Sequence, residues 1–297
     1  VTSTILLARR TIPTVTAIPR MRRAEVFPDD AYPLHSDRRR LDAPVVPHAH
    51  DFCEVAVVVS GRAAYRTRHG TRGLRGGDVV AVRPGSWHEY RAVVELEVVN
   101  VYLGQELLSG ELAWILDHPG LTNLIFGTGD VRLRLSPAAT DRARRWLEQL
   151  ARCRDHPEAD QPLQLRSLLG CAFAEFAGAG ASRAGRPVSP ATRTALLAMA
   201  EDPARAWSAA ELATLARVSP SHLQHQFAEQ LGTSPLGWLA HYRAEQMAVR
   251  LAATGRPVAE IGRAVGWSDP NYAARRFRAT HGLSPTEYRR RFTFASP

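Results

Sequence analysis

Lysine is absent from this 297-residue chain, so all 38 of its basic side chains are arginine. With alanine so abundant, that usage reflects GC-rich coding and does not by itself mark arginines chosen for phosphate geometry. Cysteine is scarce. Cys53, Cys153 and Cys171 are odd in number and form no Cys-x-x-Cys pair, which argues against a disulfide framework and fits reduced thiols in a cytoplasm. No run of eighteen apolar residues occurs, so no membrane span is expected. Ile5-Leu6-Leu7 is too short for a signal-peptide core and is followed, not preceded, by Arg9 and Arg10. Residues 1–20 read as a mobile N-terminal arm. The length suits two domains, and acidic residues number only 29, leaving a net charge of +9.

One helix-turn-helix pattern is written twice near the end of the chain. The first copy runs from Ser208 to Phe227 and the second from Pro257 to Phe277. Glu211-Leu212 and Glu260-Ile261 lie 49 apart, whereas Phe227 and Phe277, Gly232 and Gly282, and Ser234 and Ser284 lie 50 apart. A repeat at fixed period is one supersecondary unit used twice, and a single extra residue in the second turn explains the shift. Ser208 stands three before Glu211, the capping box that opens a helix. Ser219-Pro220 and Asp269-Pro270 each set an N-cap before a proline at the first helical position. Leu223, Phe227 and Leu231 form the inward stripe of the first unit's second helix, leaving Ser221, Gln224 and His225 outward. In the second unit Tyr272, Ala273 and Phe277 are expected inside, and Asn271, Ala274, Arg275 and Arg278 outside. Polar side chains on the N-terminal half of such a helix are what reading base edges requires. Between the copies, Leu236, Trp238, Leu239, Tyr242, Ala244, Met247, Ala248 and Leu251 predict a connecting helix closed by Gly255. A stiff connector could hold two recognition helices about one DNA repeat, roughly 34 Å, apart. From residue 191 onward thirteen arginines face eight acidic residues, a net of +5. Such a run is usually a solvated face, but here it flanks a recognition helix and points to phosphate contact.

On these residues the segment 191–297 resembles the double helix-turn-helix domain of the AraC/XylS family of transcription regulators. The resemblance is carried by Val258-Ala-Glu-Ile-Gly-Arg-Ala-Val-Gly-Trp-Ser-Asp-Pro-Asn-Tyr272, Arg275-Arg-Phe-Arg278 and Gly282-Leu-Ser-Pro-Thr-Glu-Tyr-Arg289. Two departures stand out: Ala273 where the family often has an aromatic residue, implying a looser core there, and His225 where it often has arginine. The resemblance implies a sequence-specific regulator, most often an activator that recruits RNA polymerase, acting as a homodimer on double-stranded DNA.

From about residue 40 to 104 the pattern changes. Val55–Val59, Ala63–Tyr65, Val79–Val82 and Val93–Val101 are β-branched runs set off by turn signals at Ser60-Gly61, Gly76-Gly77-Asp78 and Pro84-Gly85, as in a small antiparallel barrel or sandwich. His48-Ala-His50, Glu54 and Gly61, then Gly77, Pro84-Gly85 and His88, resemble the two cupin motifs, with Pro-Gly in place of the usual Pro-x-Gly. Residues two apart on a strand share a face, so His48, His50, Glu54 and His88 are expected at one barrel mouth. Two readings follow: these four hold a divalent metal such as Zn, Fe, Mn or Ni, or they hydrogen-bond one another or an effector. Phe52, Tyr65, Trp87 and Tyr90 are candidates for an effector pocket or, as isolated aromatics, for core.

After the barrel, Leu107–Leu116 predicts a helix ending before Pro119-Gly120. Stripes at Ala143, Trp146, Leu147 and Leu150, and at Leu165, Leu168, Leu169, Ala172 and Phe176, predict two more. They either pack on the barrel or, as the resemblance implies, dimerise. Residues 178–190 are rich in Gly, Ser and Pro and read as a linker.

The expected fold is therefore α+β: a mobile arm (1–20), a cupin-like antiparallel β-barrel with flanking helices for effector sensing and dimerisation (21–177), a linker (178–190) and an all-α double helix-turn-helix domain (191–297). A regulator answering an unidentified small molecule is the leading functional reading. An effector-independent regulator, or a metal-dependent cupin enzyme fused to a DNA-binding domain, are the alternatives.

Overall fold

The structure is a computed structural model and describes residues 23–27, 32–129, 132–154, 161–180 and 187–292. The expected arm at 1–20 and the middle of the expected linker lie outside these residues.

Seven strands make one antiparallel sheet: β1 Leu34–Leu41, β2 Val45–Ala49, β3 Cys53–Thr67, β4 Gly70–Arg75, β5 Asp78–Val82, β6 Trp87–Leu103 and β7 Arg132–Arg134. The long strands β3 and β6 pair along most of their length. β1 and β2 share the other edge of β6, while β4 and β5 share the other edge of β3 and β7 closes on β5. Alternation sorts the side chains. Ala56 and Val58 join Leu41, Val45, Val80, Leu96 and Val98 in an interior cluster. Val55 and Val57, with Val99 and Val101, face the helices instead.

The Ser60-Gly61 signal is not a turn. It lies inside β3, where Gly61 adopts φ +75° and the register with β6 shifts. This is a bulge: one extra residue bends the strand and reverses which parity points inward. Even-numbered Ala56 and Val58 point in before it, and odd-numbered Ala63 and Tyr65 after it. Both expected runs therefore belong to one bent strand, and the bend lets the sheet curl around its own core.

The helical layer departs from expectation in two places. The helix expected at Leu107–Leu116 is two pieces, α2 Gln105–Ser109 and a 3-10 turn Ala113–Asp117, parted at Gly110. Pro119 does not end a helix but starts one, α3 Pro119–Phe126, because proline lacks only an N–H that a first turn leaves unused anyway. Besides the four-residue α1 Arg23–Val26, the N-terminal half carries α4 Pro137–Arg154 and α5 Gln161–Gly180. The second of these takes in Gly178, which the sequence assigns to the linker. Ala143, Leu147 and Leu150 on α4, and the whole α5 stripe, are buried in the main core. Trp146 stays 38% exposed.

The C-terminal half comprises α6 Pro190–Glu201, α7 Ala209–Leu215, α8 Pro220–Leu231, α9 Pro235–Ala253, α10 Val258–Ala264, α11 Pro270–His281 and α12 Pro285–Phe292. The capping box at Ser208 and Glu211 forms in both directions, with N–H···O distances of 2.9 and 3.1 Å. Ser219 and Asp269 cap α8 and α11, each followed by proline at the first helical position. Both helices end on a left-handed glycine, Gly232 and Gly282. The two units share no single core. Leu212, Leu223, Phe227 and Trp238 belong to the cluster that covers the outer face of the sheet. Ile261, Ala273, Phe277 and Tyr288 pack with Ala49 and Trp87 in another.

Candidate functional site

Two sites emerge, one at the mouth of the curled sheet and one on the helical half. At the mouth, β2 and β6 pair His48 with His88 and Ala49 with Trp87. The imidazoles turn inward, whereas Ala49 and Trp87 turn outward onto the second helix-turn-helix unit. Ligand atoms of His50, Glu54 and His88 lie within 4.8 Å of one another, all buried. His48 stands beside this triad, its ring 4.2 Å from that of His88 between centroids. The structure thus brings three of the four expected residues into one donor set and places the fourth at its flank.

Protonation follows from the hydrogen bonds. A carbonyl only accepts, so His50 Nδ1 donates to the Phe52 carbonyl at 2.8 Å and His48 Nδ1 to the Val46 carbonyl at 3.0 Å. His50 Nε2 then faces the Glu54 carboxylate at 3.2 Å. Both ring nitrogens of buried His88 lack a hydrogen-bond partner among the described residues. Burial, then His48 and His50, push the His88 imidazole well below its ordinary value. Burial opposes ionisation of Glu54, yet the His50 imidazole, with His48 and Arg39 behind it, holds the carboxyl below the usual range. Imidazole nitrogens without a hydrogen-bond partner among the described residues, beside a carboxyl held below its usual range, are the donors a borderline divalent cation takes. Backbone carbonyls fixing the far nitrogens are the usual outer support of such ligands. The residues fit a metal.

Of the four aromatic candidates, Tyr65 and Trp87 line one cleft beside the β5–β6 turn, and Phe52 and Tyr90 lie outside it. Tyr65 and Tyr90 lie inside the sheet, 5.3 Å apart between ring centroids, with His88 beside both. Phe52 stacks on His50 at 4.4 Å and packs with Val26, Phe27 and Tyr102. Trp87 faces away, donating from Nε1 to the His281 carbonyl at 3.4 Å.

On the helical half, Ser221, Gln224 and His225 are exposed along α8, and Asn271, Arg275 and Arg278 along α11, with Ala274 partly so. Ala273 is buried against α10, where a Cβ added at Gly262 would stand 3.5 Å from its own. The small residue lets the two helices approach closely, so the looser core expected there is not found. Tyr272, expected inside, is 41% exposed and meets Trp267 edge-on at 6.3 Å.

The sequence reading missed what joins the halves. Arg83, in the β5–β6 turn, donates from Nε to Glu245 of α9 at 2.6 Å, both nearly buried. Tyr288 donates to the Gly85 carbonyl at 2.7 Å, and Trp238 Nε1 to the Phe126 carbonyl at 3.1 Å. One signal was legible: Glu245 interrupts the apolar stripe of α9 between Ala244 and Met247, where an unpaired carboxylate would be costly.

Comparison with known proteins agrees with both halves. Residues 37–183 match the AraC-like ligand-binding domain and residues 212–291 the helix-turn-helix domain family. The arabinose operon regulatory protein of Escherichia coli is 43% identical over 72 residues, 24% of this chain and 25% of its own. The chain thus spans about a quarter of that relative's length in the match. The HTH-type transcriptional activator RhaR of Klebsiella pneumoniae is 25% identical over 279 residues, covering 91% of this chain and 96% of its own. The crystal structure of unsaturated fatty acid bound ToxT from Vibrio cholerae superposes with a TM-score of 0.51 at 14% identity, over 89% of this chain and 97% of that one. That likeness establishes the fold.

Proposed function

Because the chain belongs to the AraC/XylS family of transcription regulators, we propose that it binds duplex DNA through both helix-turn-helix units and answers a small molecule through its N-terminal half. The observation that carries this reading is the pair of capped recognition helices with polar faces turned outward. On the α8 face stand Ser221, Gln224 and His225; on the α11 face, Asn271, Arg275 and Arg278. Selection of bound duplexes from a random pool tests it. Enriched sequences should contain two conserved blocks about one helical turn apart, and a pool that enriches nothing rejects the reading.

Activation, as the name of RhaR states for that protein, and recruitment of RNA polymerase are the regulatory mode we favour, in the cytoplasm. Homodimerisation is part of the proposal too. The α4 and α5 stripes are used up inside the chain, so a dimer contact there would rest on outer residues such as Trp146 and Leu163, 38% and 61% exposed.

The mouth of the sheet is proposed as a metal centre held by His50, Glu54 and His88 with His48 alongside. A bound cation would satisfy the stranded nitrogens and tie β2, β3 and β6 together. Purified protein should then carry close to one equivalent of a divalent metal, and His50→Ala should lose it. Metal-free protein that keeps its full response to effector would return these residues to a hydrogen-bonding role. The metalloenzyme reading has only this donor set in its favour, since aliphatic side chains with Tyr65 and Tyr90 fill the interior beyond it.

A further inference from the structure

A cleft that neither the metal centre nor the DNA face uses lies between the sheet and the second helix-turn-helix unit. It encloses about 650 Å³, open mouth included, among the β3–β4 turn, the β5–β6 turn, the loop after α3 and the ends of α9 and α11. A second, more open recess of about 660 Å³ continues it along α9 and α11, with Arg68, Thr128, His241 and Thr280 common to both.

Its charge is one-sided. Arg68 and Arg83 line the first recess and Arg276 the second, and among the described residues no carboxylate lines either. Glu245 sits behind the wall and is committed to Arg83 at 2.6 Å and to His241 at 3.3 Å. Arg68 gives one N–H to the Ala279 carbonyl at 3.1 Å and retains others. Arg276 turns toward the recess from the inner side of α11, its Nε buried and without a partner. Arg68 and His241 are both held below their ordinary values, first by partial burial and next by the Arg83 charge. Thr67, Ser86, Thr128 and Thr280 add hydroxyls. Cationic forks set among hydroxyls, with Arg68 and Arg276 paired to no carboxylate among the described residues, are the chemistry of phosphate and carboxylate recognition.

We propose that this cleft binds a compact dianion, either a phosphate monoester or a dicarboxylate, between Arg68 of the sensor half and Arg276 of the second recognition helix. A long alkyl chain is disfavoured in the α9–α11 recess, where Gly237 and Ala279 are the only described lining residues without a polar side chain. A ligand here would touch α11 itself, so its binding bears directly on how the second unit meets DNA.

The test uses the full-length protein, with inorganic phosphate and succinate as probes. Each is titrated at constant ionic strength and followed by calorimetry and melting temperature. One saturable site per chain and a raised melting temperature are expected. Arg68→Gln and Arg276→Gln should each weaken binding about tenfold or more, the weight of one charge-assisted hydrogen bond. Arg275→Gln and Arg278→Gln, on the outward face of α11, should leave it unchanged. Tighter binding of phosphate marks a phosphate ester as the ligand class, and tighter binding of succinate a dicarboxylate. The proposal is overturned if neither probe saturates, if Arg68→Gln binds like the parent, or if the loss follows Arg275 and Arg278, which would mean the probe is imitating DNA phosphates. Arg68 is exposed at the cleft mouth, so its variant should fold and keep the test decisive if Arg276→Gln does not.

Discussion

Arg275 stands exposed on α11 and makes no hydrogen bond among the described residues, which leaves its guanidinium free to offer two donors to guanine O6 and N7. Arg275→Ala should cost about 1–3 kcal/mol and relax selection at one base pair. Binding to a set of single-base operator variants checks this, and a uniform loss across them would make Arg275 a phosphate contact. Another residue, His281, governs a pH effect. Burial pushes its imidazole down to about 4, while its Nε2 meets the Ala244 carbonyl at 3.1 Å. The unfolded chain takes up that proton near pH 6.5. Stability from His281 is therefore complete above about 6.5 and is lost as pH falls toward 4, since the unfolded state then binds more protons. Buried His48, His88 and His241 are shifted the same way, so His281→Asn should remove part of the slope. Melting curves from pH 7 to pH 4 that match the parent's would show that His281 does not titrate as described.

The strands and helices raise a different kind of test. Gly61 is the element-level hinge of the sheet: its φ is +75°, and a Cβ there would run into the backbone carbonyl of Glu95 on β6. A side chain pays both for the left-handed backbone and for that collision. Gly61→Ala should lower stability by about 1–3 kcal/mol, read as a drop in denaturation midpoint. Gly70, also at positive φ but in open space, is the control and should lose less on the same change. Equal losses at both sites would mean that the bulge tolerates a side chain.

For the whole molecule, the question is how independent the two halves are. The sequence suggests a 178–190 linker between separable domains, yet Leu212, Leu223, Phe227 and Trp238 share one core with Val55 and Val101. Trp87 and Ala49 likewise complete the core of the second unit. A fragment from Pro190 to Pro297 keeps both units and α9, so it should bind DNA with an affinity that falls steeply as salt rises. It should also melt below the intact chain, because Trp238 and the Glu245 carboxylate lose their partners Phe126 and Arg83. A fragment as stable as the full protein would mean that the shared core contributes nothing, and one that binds no DNA at low salt would reject the division of labour.

What the sequence determined by itself is local. Caps at Ser208, Ser219 and Asp269, prolines at first helical positions, glycines after α8 and α11, and the alternation that turns His48, His50, Glu54 and His88 inward all act within a few residues. Such signals survive without knowledge of the fold. Tertiary structure decided the rest, because it rests on which distant surfaces meet. Ser60-Gly61 became a bulge only because β6 pairs with β3 on both sides of it. Pro119 opened a helix because the core had an apolar face for Leu121, Leu124 and Ile125 to fill. Trp87 turned from the sheet interior to the cleft beside the second unit because α12 and the end of α11 offered its ring Phe292 and its indole N–H the His281 carbonyl. The cationic cleft draws Arg68, Arg83 and Arg276 from positions far apart in the chain. No local pattern holds that information, since a cavity's charge is set by the contacts between elements.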